Sequence, residues 1–195
     1  MSICISQLPF EVIYHEVKDD AQPSLPPNSQ DLIASCLKMH WVNDIPGFLT
    51  DVHTSLKPDG CFLAALVGGE SLQELRSSLV LAEMERLGGV ASHMSPLTRV
   101  RDCGDLLQRA GFALLTVDQE TLNVRYPDMF TLIEHLQGMG ETHAPMKPSH
   151  LSRDALLAAN SIYKELYTDE EGLLNCTIQV DIYVYIYRYY TLHML

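Results

Sequence analysis

Apolar residues along this chain follow two rhythms, short runs with a period near two and longer stretches spaced by three and four. VIYHEV (12–17) is a β-rich run leading into Asp19 and Asp20, and DLIAS (31–35) has the size of a buried strand. CFLAALV (61–67) is apolar almost throughout, the pattern of a strand covered on both faces in a parallel sheet. FALLTV (112–117) starts another strand. TIQVDIYVYIY (177–187) alternates strictly. Ile178, Val180, Ile182, Val184 and Ile186 share one face, opposite Thr177, Gln179, Asp181 and the tyrosines, which predicts a half-buried strand.

Between these runs the spacing turns helical. Ile45, Phe48, Leu49, Val52 and Leu56 recur behind Asp44, a suitable cap, and Pro46 is tolerated in the first turn. LKPDG (56–60) then reads as the turn that stops this helix. Gly68–Gly69 ends the next strand, and Ser71-x-x-Glu74 reads as a capping box for a helix to about Leu87, with Leu72, Leu75, Leu79 and Ala82 inward. Asp102 to Ala110 forms a short helix closed by Gly111. A further helix starts at Pro127, places Phe130, Ile133 and Leu136 inside, and stops at Gly138. Ser152 caps the last one, with Ala155, Leu156, Ala159, Ile162, Tyr163 and Leu166 on its inner face. Strand–helix alternation of this kind predicts a mostly parallel α/β sheet with helices on both faces. The Pro/Ser/Asn stretch 21–30 reads as a surface loop within one domain.

Composition narrows the function classes. With 195 residues, 47% hydrophobic and 19% charged, the chain is long and apolar enough for one domain with a real core. A formal charge of -12 argues against sequence-independent nucleic-acid binding, which needs Lys and Arg to displace phosphate counterions. The five cysteines are far apart and form no C-x-x-C pair, so they read as reduced, buried thiols. The eight histidines show no H-E-x-x-H spacing, which argues against a metal site. MSICISQLPFEV has neither the apolar core of a secretory signal nor the Arg-rich pattern of a transit peptide. No uncharged apolar run reaches the eighteen residues or so of a transmembrane segment.

One resemblance goes further. DLIASCLKMHWVNDIPGFLTDVHTSLKPDGCFLAAL (31–66) resembles the fourth strand, fourth helix and fifth strand of class I S-adenosylmethionine-dependent methyltransferases. In order along the chain, HWVND, GGESLQELR, AGF…VD and YPDMFTLIEHLQGMGE are similar to mitochondrial complex I assembly factors of the arginine-hydroxylase type, relatives of bacterial malonyl-carrier-protein methyltransferases. The likeness runs from about Val12 to Val180, with residues 1–11 as an N-terminal tail and 181–195 as a tail that departs from the family. It implies one partial domain, an incomplete Rossmann-like methyltransferase sheet with its first two strands missing. The family's glycine turn precedes the segment resembling VIYHEVKDD, whereas the first glycine here is Gly47. The expectation is therefore a fragment or partial gene product without its import signal, binding S-adenosylmethionine weakly or not at all.

The resemblance also implies a place on the matrix side of the mitochondrial inner membrane, peripheral to it. The partner would be a complex I subunit or assembly intermediate, and the activity hydroxylation of an arginine. For the cofactor it implies Asp19, with Asp20 as a neighbour that could replace it, together with Ser35, His40 and Trp41. The last three lie at or past the carboxyl end of a strand, where open α/β sheets bind ligands. On the residues alone, Asp19 is equally a solvated turn acid. Trp41 then staples the helix entrance to the core, and His40 is a polar edge residue, though its near-neutral pKa range would suit a base.

For a protein substrate the residues after the strand CFLAALV suggest Gly69, Glu70 and Arg76. Gly68–Gly69 permits close backbone approach. Glu70 sits near a helix start, and Arg76 offers a planar fork to a carboxylate. The plain alternative is a turn with a surface ion pair. QGMGE (137–141) ends a helix and begins a flexible lid, with Met139 as an adaptable contact. No Ser/His/Asp triad, phosphate loop, cysteine nucleophile or two-His-one-carboxylate pattern is visible, so no catalytic residue is assigned. Two other functions stay open: a non-catalytic assembly module using GGESLQELR and QGMGE, and an S-adenosylmethionine-dependent O-methyltransferase. Loss of the first strands also predicts an unpaired edge at DLIAS and a product prone to aggregation.

Overall fold

The computed structural model describes residues 25–91, 93, 97–141 and 151–186. The expected strand VIYHEV, with Asp19 and Asp20, lies outside them, as does the tail after Ile186. The chain runs β1 (Gln30–Cys36), a 3₁₀ turn (Met39–Trp41), α1 (Ile45–Ser55), β2 (Leu56–Val67), α2 (Gln73–Leu87) and α3 (Val100–Arg109). β3 (Ala113–Tyr126), α4 (Met129–Met139), α5 (Arg153–Tyr167) and β4 (Leu174–Ile186) follow. The described strands form one sheet in the order β1-β2-β4-β3. β1 and β2 pair in parallel, and β4 pairs antiparallel with both of its neighbours. Three strands thus share a direction, as expected, but the reversed β4 between β2 and β3 makes two of the three pairings antiparallel. Alternation of elements along a chain tells which strands exist and leaves open which ones become neighbours.

Local chemistry explains most boundaries. Asp44 accepts the Gly47 amide at 3.0 Å and Pro46 sits in the first turn of α1, as the sequence implies. LKPDG does not separate α1 from β2. It is the start of β2, bulged where the register jumps from Gln30 opposite Leu56 to Leu32 opposite Cys61. Asp59 takes a positive φ of 63° inside that bulge. A Cβ on Gly60 would lie 2.8 Å from the Lys57 carbonyl oxygen, so only glycine fits there.

The expected capping box does not form. Leu72 occupies the cap position of α2 with φ 56°, and no side chain caps the helix. Ser71 instead donates to the Gln179 carbonyl at 3.0 Å and accepts the Gln179 amide at 2.8 Å. Glu74 accepts the Thr177 amide at 3.1 Å and the Thr177 hydroxyl. The physical reason is strand length. β2 ends opposite Val180, so the backbone of β4 at 177–179 has no β2 partner, and buried backbone groups must find one. The loop after β2 supplies it, helped by Gly68 donating to Gln179 and Leu72 to Thr177.

Two later helices keep their existence and change their faces. Asp128 caps α4 by accepting the Thr131 amide at 2.8 Å, and Met129, Leu132 and Leu136 are buried. Phe130 is exposed, and the helix ends at Gly140 rather than Gly138. Ser152 caps α5 as expected, accepting the Ala155 amide at 3.1 Å. Its inner face is Ala155, Ala158, Ala159 and Tyr163, with Leu166 exposed. β4 alternates as read, but from Val180 onward its buried residues are Asp181, Tyr183 and Tyr185, while Val180, Ile182 and Val184 are half-buried.

The apolar interior has two parts. α1 and α3 cover one sheet face, burying Leu49, Val52, Phe62, Ala64, Leu107 and Tyr183. α2, α4 and α5 cluster on the end of β3 and the start of β4, around Leu75, Met129, Leu132, Tyr163 and Cys176. Cys103 and Cys176 are buried as expected, whereas Cys36 is exposed and Cys61 half-buried, because both sit on the less covered sheet face.

Candidate functional site

A cavity of about 370 Å³ opens between the carboxyl ends of β1 and β2 and the second helix cluster. Val67, the last residue of β2, and Leu37, just past β1, form its sheet-side wall. Leu72, Leu75 and Leu79 of α2 and Leu136 of α4 supply further aliphatic walls. This is the end of a parallel strand pair, the usual ligand position in open α/β sheets, and the volume lies near the lower end of common ligand cavities, about 300–1,000 Å³.

The turn after β1 delivers the polar groups. Leu37 adopts φ 50° and donates its amide to Ala65 at 2.9 Å, which bends the chain away from the sheet. Met39, 2% exposed, anchors the 3₁₀ turn in the core. His40 and Trp41 therefore line the cavity, their ring centroids 5.5 Å apart. Across from them, His40 Nε2 lies 3.3 Å and 3.4 Å from the two carboxylate oxygens of Glu141. His40 Nδ1 is buried and has no hydrogen-bond partner among the described residues. His93 also lines the cavity, and its Nε2 contacts the buried carboxylate of Glu83. Glu83 in turn accepts the Ala91 amide at 2.8 Å, so a carboxylate orients this imidazole. Burial pushes the Cys103 thiol up to about 11 and the Cys176 thiol up to about 12, so neither is a thiolate nucleophile at neutral pH.

Of the residues singled out from sequence, His40 and Trp41 come together on this cavity. Ser35 lies in β1 opposite Ala64, on the face covered by α1 and α3, and is not among the lining residues. Gly69 and Glu70 form the turn after β2, where the Glu70 amide donates to the Gln179 side-chain oxygen at 3.0 Å. Arg76 lies on α2, and its Nη2 is buried with no partner among the described residues. Gly69, Glu70 and Arg76 are likewise not among the lining residues. The space beside Gly68 is taken: a Cβ there would meet Gln179 Oε1 at 2.6 Å. The close approach which glycine allows at this turn is thus used by the chain's own glutamine.

Sequence reasoning missed Ser71, His93 and Glu141 as lining residues. QGMGE held a signal for Glu141, namely two alternative glycine stops, of which the later one brings residue 141 to the cavity. His93 carried no comparable local signal.

No family model matches the chain. It is 52% identical over 154 residues to the protein called arginine-hydroxylase NDUFAF5, mitochondrial, of Danio rerio, a match covering 78% of this chain and 48% of that one. The Homo sapiens protein of the same name is 51% identical over 154 residues, covering 78% and 45%. The chain spans about half the length of the curated relatives it matches. Among solved structures, a candidate methyltransferase from Bacillus halodurans C-125 matches with a TM-score of 0.52 at 11% identity, over 88% of this chain and 70% of that one. At that identity the likeness concerns the fold, and it agrees with the Rossmann-like, methyltransferase-type arrangement of the described strands. This chain is thus a close homologue, over about half their length, of the proteins called NDUFAF5, and its fold is the Rossmann-like one of methyltransferases.

Proposed function

We propose that this chain carries one half of a mitochondrial arginine hydroxylase, methyltransferase-like in fold, which serves complex I assembly on the matrix side of the inner membrane. The observation that carries this reading is the cavity at the carboxyl ends of β1 and β2, with His40 and Trp41 on its rim and aliphatic helix faces as its walls. His40 and Trp41 are the ligand-facing residues; Ser35 and, outside the described residues, Asp19 remain the cofactor-side candidates that the resemblance implies. The turn at Gly69 and the exposed Glu70, with half-buried Arg76 behind them, face a complex I subunit or assembly intermediate.

S-adenosylmethionine, the cofactor of the wider superfamily, fits the described residues poorly. The glycine turn that the resemblance gives its methionyl half precedes VIYHEVKDD, outside the described residues, and the turn at Gly68 offers no substitute, because the side chain of Gln179 fills the space there. The same observation favours a second reading, in which the chain associates with complex I intermediates without catalysing a reaction. Affinity purification of the tagged chain from mitochondria, with mass spectrometry of the bound subunits, tests both. Co-purification of complex I intermediates, lost on joint Glu70→Ala and Arg76→Ala substitution, is the expected result. Hydroxylated arginine in the bound subunit supports the enzyme, and its absence supports the binding module. Failure of the unaltered chain to co-purify any intermediate refutes both.

A further inference from the structure

We infer that Glu141 selects the ligand of the cavity by receiving the guanidinium of an arginine side chain that enters along the leucine wall of α2. This rests on the cavity being the substrate site, as proposed above, and assigns its specificity to a residue that no motif identified.

Three observations converge on Glu141. First, its backbone is fixed. Gly140, at φ 76°, donates to the Gln137 carbonyl at 3.1 Å, and the Glu141 amide donates to the Leu136 carbonyl at 2.9 Å. That pair of bonds is a Schellman closure of α4, so a rigid helix end positions the carboxylate. Second, Glu141 carries the one carboxylate among the described lining residues, and no lysine or arginine accompanies it there. Apolar walls around a lone acid suit a cation on an aliphatic stem and disfavour an anionic head group. Third, the contact with His40 leaves acceptor capacity unused. At 3.3 Å and 3.4 Å it lies at the outer limit of hydrogen bonding, while an ionised carboxylate offers about four lone-pair sites.

His40 Nδ1 is buried on the far side of the ring without a partner among the described residues, so Nε2 is the ring atom turned to Glu141. A guanidinium presents five N–H donors in a flat fork, enough for both oxygens of Glu141. Trp41 lines the cavity beside His40, an aromatic neighbour suited to a flat cation. Leu72, Leu75 and Leu79 take the methylenes.

Calorimetric titration of the purified 195-residue chain with acetyl-Gly-Arg-Gly-amide, and with its citrulline and lysine counterparts, decides the matter. Citrulline keeps the shape of arginine and loses the charge. The arginine peptide should bind at least about tenfold more tightly than the citrulline peptide, the scale of one hydrogen bond to a charged group. The lysine peptide should fall between them. Glu141→Gln should remove the preference, and Glu141→Asp should retain part of it. The Glu141 side chain is 30% exposed, so both variants should melt with the unaltered protein. The three-peptide comparison on the unaltered chain stands even if a variant unfolds. Equal binding of arginine and citrulline, equal binding of arginine and lysine, no binding of any peptide, or full arginine preference in Glu141→Gln would each overturn the inference. Any of these with complex I co-purification intact leaves the proposed function standing. Arginine selectivity without co-purification has the opposite meaning.

Discussion

The two faces of the β1–β2 pair have nearly the same composition and very different surroundings. On one, Phe62 and Ala64 are fully buried and Leu66 nearly so, under α1 and α3. There Phe112 meets Phe62 at 5.6 Å and Tyr185 at 5.5 Å between ring centroids, both contacts tilted. On the other face Leu63 is 36% exposed and Leu32 59% exposed. The helices of that side gather instead at the far end, over the start of β4, and the cavity lies in their shelter. An apolar strand therefore does not define its own burial. The helices decide it, and here one layer is closed while the other is closed only around the candidate site.

Adjacent residues of β2 put a number on this contrast. Phe62→Ala should lower unfolding free energy by about 3–5 kcal/mol, the usual result of emptying a fully packed aromatic site. Leu63→Ala, one residue along and facing the other way, should lower it by about 1 kcal/mol or less, since much of the side chain already meets water. Urea unfolding of both variants measures the difference. Equal losses would mean that the second face is covered in solution.

This contrast also marks what the sequence could disclose. Helices α1 and α5 were legible because Asp44 and Ser152 cap them through local bonds that residue type and spacing specify. Ser71 and Glu74 have the same local pattern, yet both side chains serve β4, more than a hundred residues away. A capping motif competes with any unpaired strand that the fold brings near, and no local window contains that competitor. Half-exposure of CFLAALV was illegible for the same reason, because periodicity reports apolar residues and not the layer above them. At the site, His40 and Trp41 could be read from their place after a strand. Glu141 depended on which of two glycines takes the left-handed cap, and the second one did. His93 is held by Glu83 across ten residues with no regular spacing, a contact set by tertiary structure alone.

The closed layer also contains a charge, which gives a pH test of intermediate size. Asp181 is 1% exposed on the face of Tyr183 and Tyr185, and Gln119 donates to its Oδ1 at 2.9 Å. Burial raises its carboxyl pKa above the ordinary aspartate range, and the Gln119 hydrogen bond offsets this in part. The folded state then holds the proton more tightly than the unfolded state. Stability falls as pH rises from the unfolded pKa through the folded one, and the cost persists above both. Asp181→Asn keeps the acceptor for Gln119 and cannot ionise. It should raise stability at pH 7 by an amount on the order of 1 kcal/mol and leave it nearly unchanged at a pH below both pKa values. A gain that grows toward low pH would assign the opposite sign to the buried carboxyl.

The smallest effect belongs to the open side of the β1–β2 pair. Lys57 Nζ lies 2.7 Å and 3.0 Å from the two carboxylate oxygens of Asp31, bridging the strands at the bulge. The geometry looks strong, but the side chains are 43% and 82% exposed, so water competes for both charges. Surface pairs of this type contribute about 0–1 kcal/mol, and salt screens them. Lys57→Ala should therefore change the unfolding free energy by less than about 0.5 kcal/mol, and the difference should vanish in molar sodium chloride. The bulge itself is held by Gly60, where any side chain would collide with the Lys57 carbonyl, and not by the ion pair above it. A salt-resistant loss as large as that of Leu63→Ala would show that the pair is dry, and that something covers this edge of the sheet as α1 and α3 cover the opposite face.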